Sequence, residues 1–504
     1  TITPPTPNGD LHIGHLSGPF LAADVFSKAQ RLLGREVFLY SYCDDYQSYV
    51  LRRALEEGGE PTVLAATNAQ RIEATLSDVG ISLDHWLIAR DNAFFKDAVS
   101  TFYDAAVKHG SIAPKLGNVP YCPTCKLWGY EAFARGRCNH CGAASDPSQC
   151  ESCAHAPAID LMTDLTCVRC GQAMVIRQVE QEFLKLGDYR DCLRDLYAAM
   201  PARPALQAFA EEVLALDDLD WPISRPYEAG LDLLPDGSRR IHTWFMGIAG
   251  YRAALAEHMA RKGAPATADH WWSDSETMLV HFLGLDCAFS HGIVYPALLA
   301  NFDPTRPKLR LFTNHFLKLQ GVDFSTSRDH AIWIRDLVAE TCSDSVRLFV
   351  ASVSPEQQSA NFDCAVFRRW HESVFIGLLP HLLDQATAEH DNDNPADFTN
   401  ADHDLLTEMR RRWLEAVDLD RFSMRALALL QFDLISVLRN ARADDRPLAA
   451  WMVLFATFGR PLHPELSGRI FTALGCDGEV IVAWLADSTR EVPEALWQPS
   501  RSAA

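Results

Sequence analysis

Two groups of residues have the type and spacing to do chemistry. Near its start the chain reads NGDLHIGH, with His12 and His15 three apart around Gly14. Residues three apart share one helix face. A helix that opens after a parallel strand offers free N–H groups and the positive end of its dipole, a natural phosphate site. Two imidazoles there can donate to phosphate oxygens as charge develops, and a glycine lets a flat base lie against the backbone. Taken alone, the four letters favour two structural histidines, so the surroundings must decide.

The second group is sulfur. Eight of fourteen cysteines form four Cys-x-x-Cys pairs: Cys122/Cys125, Cys138/Cys141, Cys150/Cys153 and Cys167/Cys170. Each pair places two thiolates on a tight turn, and two such turns complete a tetrahedral S₄ site for zinc with no open position. A thioredoxin-like redox role would need that fold, which the flanking sequence lacks. Two structural zincs are expected, the inner two pairs sharing one ion and the outer two the other. Metal knuckles fit a reducing compartment, so a cytoplasmic protein is expected.

These residues need elements to hold them. Residues 1–40 read as strand, turn and long helix, followed by the apolar strand EVFLYSY. That βαβ pattern predicts a parallel sheet. CDDYQ, Cys43 to Gln47, then lies at a strand's carboxyl end, where such sheets place ligands. Helical periodicity runs from about 46 to 110, and the cysteine-rich insert from about 115 to 175. A second sheet-forming part includes the strand-like runs RRIHTWF and LVHFLGLD, the helix HGIVYPALLANF, and the strand LRLFTNHF before a loop at Gly321. From about 330 the chain is expected to be helical to about 475, with the acidic stretch 391–404 as a solvated connection.

The 504 residues allow about three domains. Apolar residues are 48% and charged residues 22%, a globular composition without an eighteen-residue apolar run. No membrane partner is therefore expected. No signal peptide is seen; the chain opens at Thr1, and its natural product is expected to begin earlier. The net charge of −20 weighs against a protein whose main task is gripping a phosphate backbone.

The segment NGDLHIGHLSGPFLAAD resembles the His-Ile-Gly-His signature of class I aminoacyl-tRNA synthetases. The four-knuckle insert, CDD, WPISR, HTWFMGIAGY and HFLGLDCAFSHGIVYPALL narrow the resemblance to the methionyl-tRNA synthetase family. It covers roughly residues 1–475. It implies an α/β fold: a Rossmann-type parallel-sheet catalytic domain (1–114 and 176–330), split by a zinc-binding connective insert (115–175) and followed by an all-α stem-contact and anticodon-binding-like domain (331–504). It also implies a ligase that activates an amino acid with ATP and Mg²⁺ as an acyl adenylate. Carried over by position, His12 and His15 would bind the ATP phosphates and stabilise the transition state. Asn8, Gly9, Gly14, Asp286 and Lys318 would border the nucleotide, and Ser325 and Ser327 would stand in the second catalytic signature. Asp45 would hold the α-amino group. Pro4, Thr6, Arg225, Trp244, Tyr251 and His291 would border the amino acid.

The chain also departs from the family. The Lys-Met-Ser-Lys-Ser loop reads Asp323, Phe324, Ser325, Thr326 and Ser327, with both lysines gone. Contacts of that kind in a transition state carry several kcal/mol. Lys318 and Arg328 lie nearby, and Leu285 stands where the family usually has lysine. The Leu-Pro-Tyr entrance appears as Pro4, Pro5 and Thr6, which puts methionine in doubt as the substrate. The anticodon run Asn-Leu-x-x-Arg-Asn is absent near Gly377 to Gln385. The expectation is a paralogue of natural-product, hydrazine-forming pathways, passing its acyl group to a small molecule such as an N-hydroxylated amine, in some relatives beside a cupin partner. A divergent methionine–tRNA ligase is the alternative, and a non-catalytic binding module the third reading.

Overall fold

The protein is described by a computed structural model covering residues 1–226, 230–233, 239–302, 307–324, 330–390 and 400–487. Its contacts divide the chain into two compact units. One comprises Thr1–Asp10, Tyr40–Ala74 and Leu83–Thr313, the other Leu11–Leu39, Thr75–Ser82 and Asn314–Ala504.

The first unit is built on the expected parallel sheet. Strand Tyr40–Cys43 pairs with His85–Ile88 in parallel register, from Tyr40↔His85 to Cys43↔Ile88. Ile2 bridges Phe282 in the same sense, and Met278–Gly284 neighbours Lys308–Asn314. All four residues of Tyr40–Cys43 are buried, which explains a run without polar alternation. The N-terminal segment is tied on both sides. Thr3 N–H donates to Phe282 O at 3.0 Å, and Asp44 N–H donates to Pro5 O at 3.1 Å. The run RRIHTWF is not one strand. Only Arg239–Ile241 is extended, because His242 caps the long helix Thr243–Arg261 by accepting from Trp244 N–H. That helix carries Gly247 and Gly250 where Tyr42 lies against it; a Cβ at either would come 2.6 Å from the tyrosine.

The insert stands on a ribbon. Ile112–Cys122 and Val175–Lys185 pair antiparallel from Ile112↔Leu184 to Tyr121↔Val175. Both knuckle regions lie in the chain between these strands.

The second unit is mainly helical, and the expected boundaries at 114, 175 and 330 do not divide the compact units. Leu11–Leu39 joins the C-terminal helices because Asp24, fully buried on helix Leu21–Leu32, pairs with Arg347 at 2.6 Å. Arg347 also donates to the carbonyls of Pro461 and Leu462. A charge buried this deeply is tolerated only when paired and hydrogen-bonded. Trp413, Trp451 and Trp484 fill the helical core.

Three expectations change here. The run after His15 is not one continuous helix. Gly18 has non-helical angles between Ile13–His15 and Leu21–Leu32, and the Asn314 side chain occupies the space a Cβ would take. The region beyond 330 contains the strand Ala360–Phe362, parallel to Leu317–Leu319. Residues 400–404 start the helix Asn400–Ala416 rather than ending a connection; 391–399 lie outside the described residues.

Candidate active site

The cysteines come together as the expected pairs of pairs. Cys122, Cys125, Cys167 and Cys170 form one cluster, and Cys138, Cys141, Cys150 and Cys153 the other, the ligand atoms of each lying within 4.8 Å of one another. Sulfur separations of 3.5 Å (Cys122–Cys170), 3.6 Å (Cys141–Cys150) and 3.8 Å (Cys138–Cys153) suit a tetrahedral ion with bonds of about 2.3 Å, which sets the ligands about 3.8 Å apart. All fourteen cysteines are free, so no disulfide competes for them.

The first unit contains a cavity of about 180 Å³ at the carboxyl end of Tyr40–Cys43. Pro4, Thr6, Trp244 and His291, expected beside the amino acid, line it, and so does Asp286, expected beside the nucleotide. Asp45, Arg225 and Tyr251 are not among its lining residues. Successive residues leaving a strand face opposite ways, and the carboxylate that reaches the cavity is Asp44. Thr243 Oγ donates to Asp44 Oδ1 at 2.7 Å and Gln47 Nε2 to Oδ2 at 2.6 Å. Burial nevertheless pushes the Asp44 carboxyl up to about 7, because those two donors are neutral. Asp45 turns away, its Oδ2 accepting from Arg90 N–H at 3.0 Å, and burial raises it to about 6. Arg225 is a tie to the insert: its guanidinium reaches Glu131 at 3.4 Å and Ser148 at 3.2 Å and lies over Tyr130. Tyr251 is fully buried behind the cavity and shares a 2.8 Å hydrogen bond with His291 Nε2. Burial lowers His291 to about 4, so it is a neutral lining group.

Sequence reasoning missed Asp44, Gln47, Thr243 and three lining residues from the insert, Asp146, Gln149 and Glu151. Asp44 was legible as half of the CDD motif. The insert residues carry no local signal, because the folded ribbon brings them there.

Asn8 and Gly9 follow the cavity residues in chain order and belong to the first unit; Asn8 N–H donates to Thr6 O at 2.9 Å. His12, Gly14, His15 and Lys318 belong to the second. His12 and His15 form a reciprocal cap. His12 Nδ1 accepts from Gly14 N–H and His15 Nδ1 accepts from His12 N–H, both at 3.1 Å. Each Nδ1 is thus an acceptor, so each neutral ring carries its proton on Nε2 and presents that N–H as a donor. The rings stack at 3.8 Å. Burial lowers His12 to about 2, with His15 adding to the effect, and lowers His15 to about 4. Phe324 stacks on His12 at 4.8 Å and 8°. A Cβ at position 14 would meet the His12 ring at 2.8 Å and Phe324 at 3.3 Å, so this turn requires glycine. Lys318 faces Asp323 across a short antiparallel pair, 3.8 Å apart, so the acid at the first position of the second signature has a cation opposite. Ser325 and Ser327 lie outside the described residues.

The family model for class I tRNA synthetases (M) matches residues 1–384. The chain belongs to this family of ligases. It is 29% identical to the methionine–tRNA ligase of Thermomicrobium roseum over 80% of its length and 71% of the relative's. It is 26% identical to that of Pyrococcus furiosus over 77% of its length, spanning 55% of that protein. Among solved structures, Mycobacterium tuberculosis methionyl-tRNA synthetase bound by methionyl-adenylate aligns over 99% of this chain and 98% of its own, with TM-score 0.73 and 18% identity. That likeness supports the α/β fold with its C-terminal helical region. No described helix is long and apolar enough to cross a membrane.

Proposed function

We propose that the chain activates an amino acid with ATP and passes the acyl group to a small-molecule acceptor. The observation that carries the first half is the cavity, sized for one amino acid and holding Asp44, hydrogen-bonded and poised to take an α-ammonium. The substrate carboxylate oxygen attacks the α-phosphorus of ATP, the bond to the β-phosphate breaks, and pyrophosphate leaves. His12 and His15, fixed as Nε2–H donors, stabilise the phosphate oxygens as charge builds; such donors are worth roughly 3–4 kcal/mol. An acceptor hydroxyl then attacks the acyl carbon, AMP leaves, and the hydroxyl proton passes to water.

The two cysteine clusters suit structural zinc, which fixes the insert and takes no part in the chemistry. ATP is used with Mg²⁺ as a substrate, and a cytoplasmic setting suits the reduced thiols.

The matched relatives are named as tRNA ligases and support tRNA charging equally. Three features of this chain favour a small molecule: the net charge of −20, the absence of the anticodon run near Gly377 to Gln385, and the loss of both lysines from the second signature. An N-hydroxylated amine suits such an acceptor, with a cupin protein as a partner for the later steps. Incubation with ATP, labelled amino acids and total tRNA should give no acid-precipitable label; efficient charging of a methionine tRNA restores the ordinary ligase.

A further inference from the structure

Gln47 precedes the helix Ser48–Glu57, at the position where a polar side chain ordinarily caps the first free N–H groups. It makes no such bond. Its side chain turns to the cavity instead, where it is a lining residue only 7% exposed. There the amide nitrogen donates to Asp44 Oδ2 at 2.6 Å. An amide has one donor end and one acceptor end, so that bond fixes which is which. The acceptor end, Oε1, is buried and has no hydrogen-bond partner. A buried acceptor left without a donor is costly.

Asp44 is the other half of this corner. Thr243 Oγ and Gln47 Nε2 each occupy one of its oxygens, and each oxygen keeps a second lone pair. The two groups left to meet a ligand here, the Asp44 carboxylate and the Gln47 amide oxygen, are therefore both acceptors. Among the described lining residues no lysine or arginine supplies hydrogens to them. A ligand must bring the hydrogens itself. Gln47 Oε1 shares its carbon with the nitrogen that holds Asp44, so one ligand atom can serve both acceptors. A primary ammonium carries three hydrogens and a hydroxyl only one, which can serve Asp44 or Gln47 but not both. Hydrogen bonds from a charged donor are also the stronger ones.

We propose that Gln47 is a substrate-contacting, specificity-determining residue: its Oε1 accepts a second hydrogen from the same nitrogen that Asp44 binds, so the cavity selects α-amino acids over 2-hydroxy acids. The proposal rests on the amino-acid-activation reading above, in which Asp44 takes the α-ammonium. It adds a contact made by Gln47 itself, beyond the support that Gln47 gives to Asp44.

The test is ATP–pyrophosphate exchange by the zinc-loaded full chain. The probes are the proteinogenic amino acids and, for the best of them, the 2-hydroxy acid with the same side chain. The native chain should use the amino acid and show no measurable exchange with the hydroxy acid. Gln47→Met keeps the length of the side chain and removes both amide ends. It should raise KM for the amino acid about tenfold, with kcat within about threefold of native. Misplacement of Asp44 alone would give the same rise, so the comparison is repeated in Asp44→Asn. A residue that touches the substrate raises KM again in that background, by about threefold or more; one that acts only through Asp44 does not. Gln47→Glu retains an acceptor and should recover part of the loss. Melting curves check that each variant folds, and Gln47→Ala replaces the methionine variant if that one does not. An unchanged KM on the Asp44→Asn background, or exchange with the hydroxy acid as fast as with the amino acid, overturns the contact and leaves activation standing. Exchange with none of the amino acids overturns both.

Discussion

Burial acts on both the cavity and the histidine turn, and it prepares them for opposite ligands. In the cavity it holds carboxyls up, Asp44 to about 7 and Asp286 to about 6, with no lysine or arginine among the described lining residues. At the turn it holds imidazoles down, His12 to about 2 and His15 to about 4, with each Nδ1 committed to a backbone N–H. The first arrangement is completed by a cation. The second presents neutral donors that meet an anion without bringing a charge of their own. Desolvation therefore selects the ligand's charge as firmly as residue type does.

The largest effect should come from removing a donor. His15→Ala should lower kcat/KM for pyrophosphate exchange by roughly 3–4 kcal/mol, as loss of a transition-state donor does. Because the donor is a neutral Nε2–H, His15→Gln should recover part of the loss. Full activity in the alanine variant would remove the phosphate role from the turn.

Next comes the cavity carboxylate. Asp44→Asn should raise KM for the amino acid by the value of a charge-assisted bond, about 1.5–3 kcal/mol, with kcat less affected. The same residue makes a pH prediction. Its folded value of about 7 lies above the ordinary 3.8, so the folded chain holds that proton more tightly than the unfolded one. The resulting stability is fully present below about pH 4 and is lost as pH rises through about 7. Melting temperature should fall between pH 5 and pH 8, and Asp44→Asn should flatten the fall; an unchanged slope would show that the carboxyl ionises normally.

The two metal clusters differ too: among the described residues, only the segment of the inner one contributes to the cavity wall. Metal analysis should give two zincs per chain; fewer than one would dismiss the clusters as zinc sites. Cys150→Ser, in the inner cluster, should raise KM for the amino acid several-fold. Cys170→Ser, in the outer one, should lower stability with little change in KM. Equal effects on KM would separate the cavity from the knuckle.

The smallest effect is expected at Lys318, paired with Asp323 at 3.8 Å on side chains 41% and 75% exposed. Such pairs contribute about 0–1 kcal/mol, so Lys318→Ala should leave the melting temperature within a degree or two. A large drop in exchange activity with normal stability would instead give this lysine the role of the missing signature cations.

Much of this was legible from local spacing. The four Cys-x-x-Cys turns announced two metal sites, and the parallel sheet was read from the βαβ pattern ending in EVFLYSY, of which the strand Tyr40–Cys43 takes the last three residues. What stayed hidden depends on distant chain. The CDD motif alone does not say which aspartate faces the cavity; the strand's alternation puts Asp44 on the side of Tyr42, and where the strand ends is set by its pairing with His85–Ile88. Asp146 and Glu151 arrive through the ribbon Ile112–Cys122 and Val175–Lys185. The break at Gly18 follows from Asn314, nearly three hundred residues on. The strand RRIHTWF failed because His242 works as a cap, a role that alternation cannot reveal.

The most direct test of the account is ATP–pyrophosphate exchange by the zinc-loaded chain, measured against each amino acid in turn. Amino-acid-dependent exchange that is lost in His15→Ala and weakened in Asp44→Asn is the predicted result. Exchange with no amino acid, from a folded chain carrying both zincs, would contradict it.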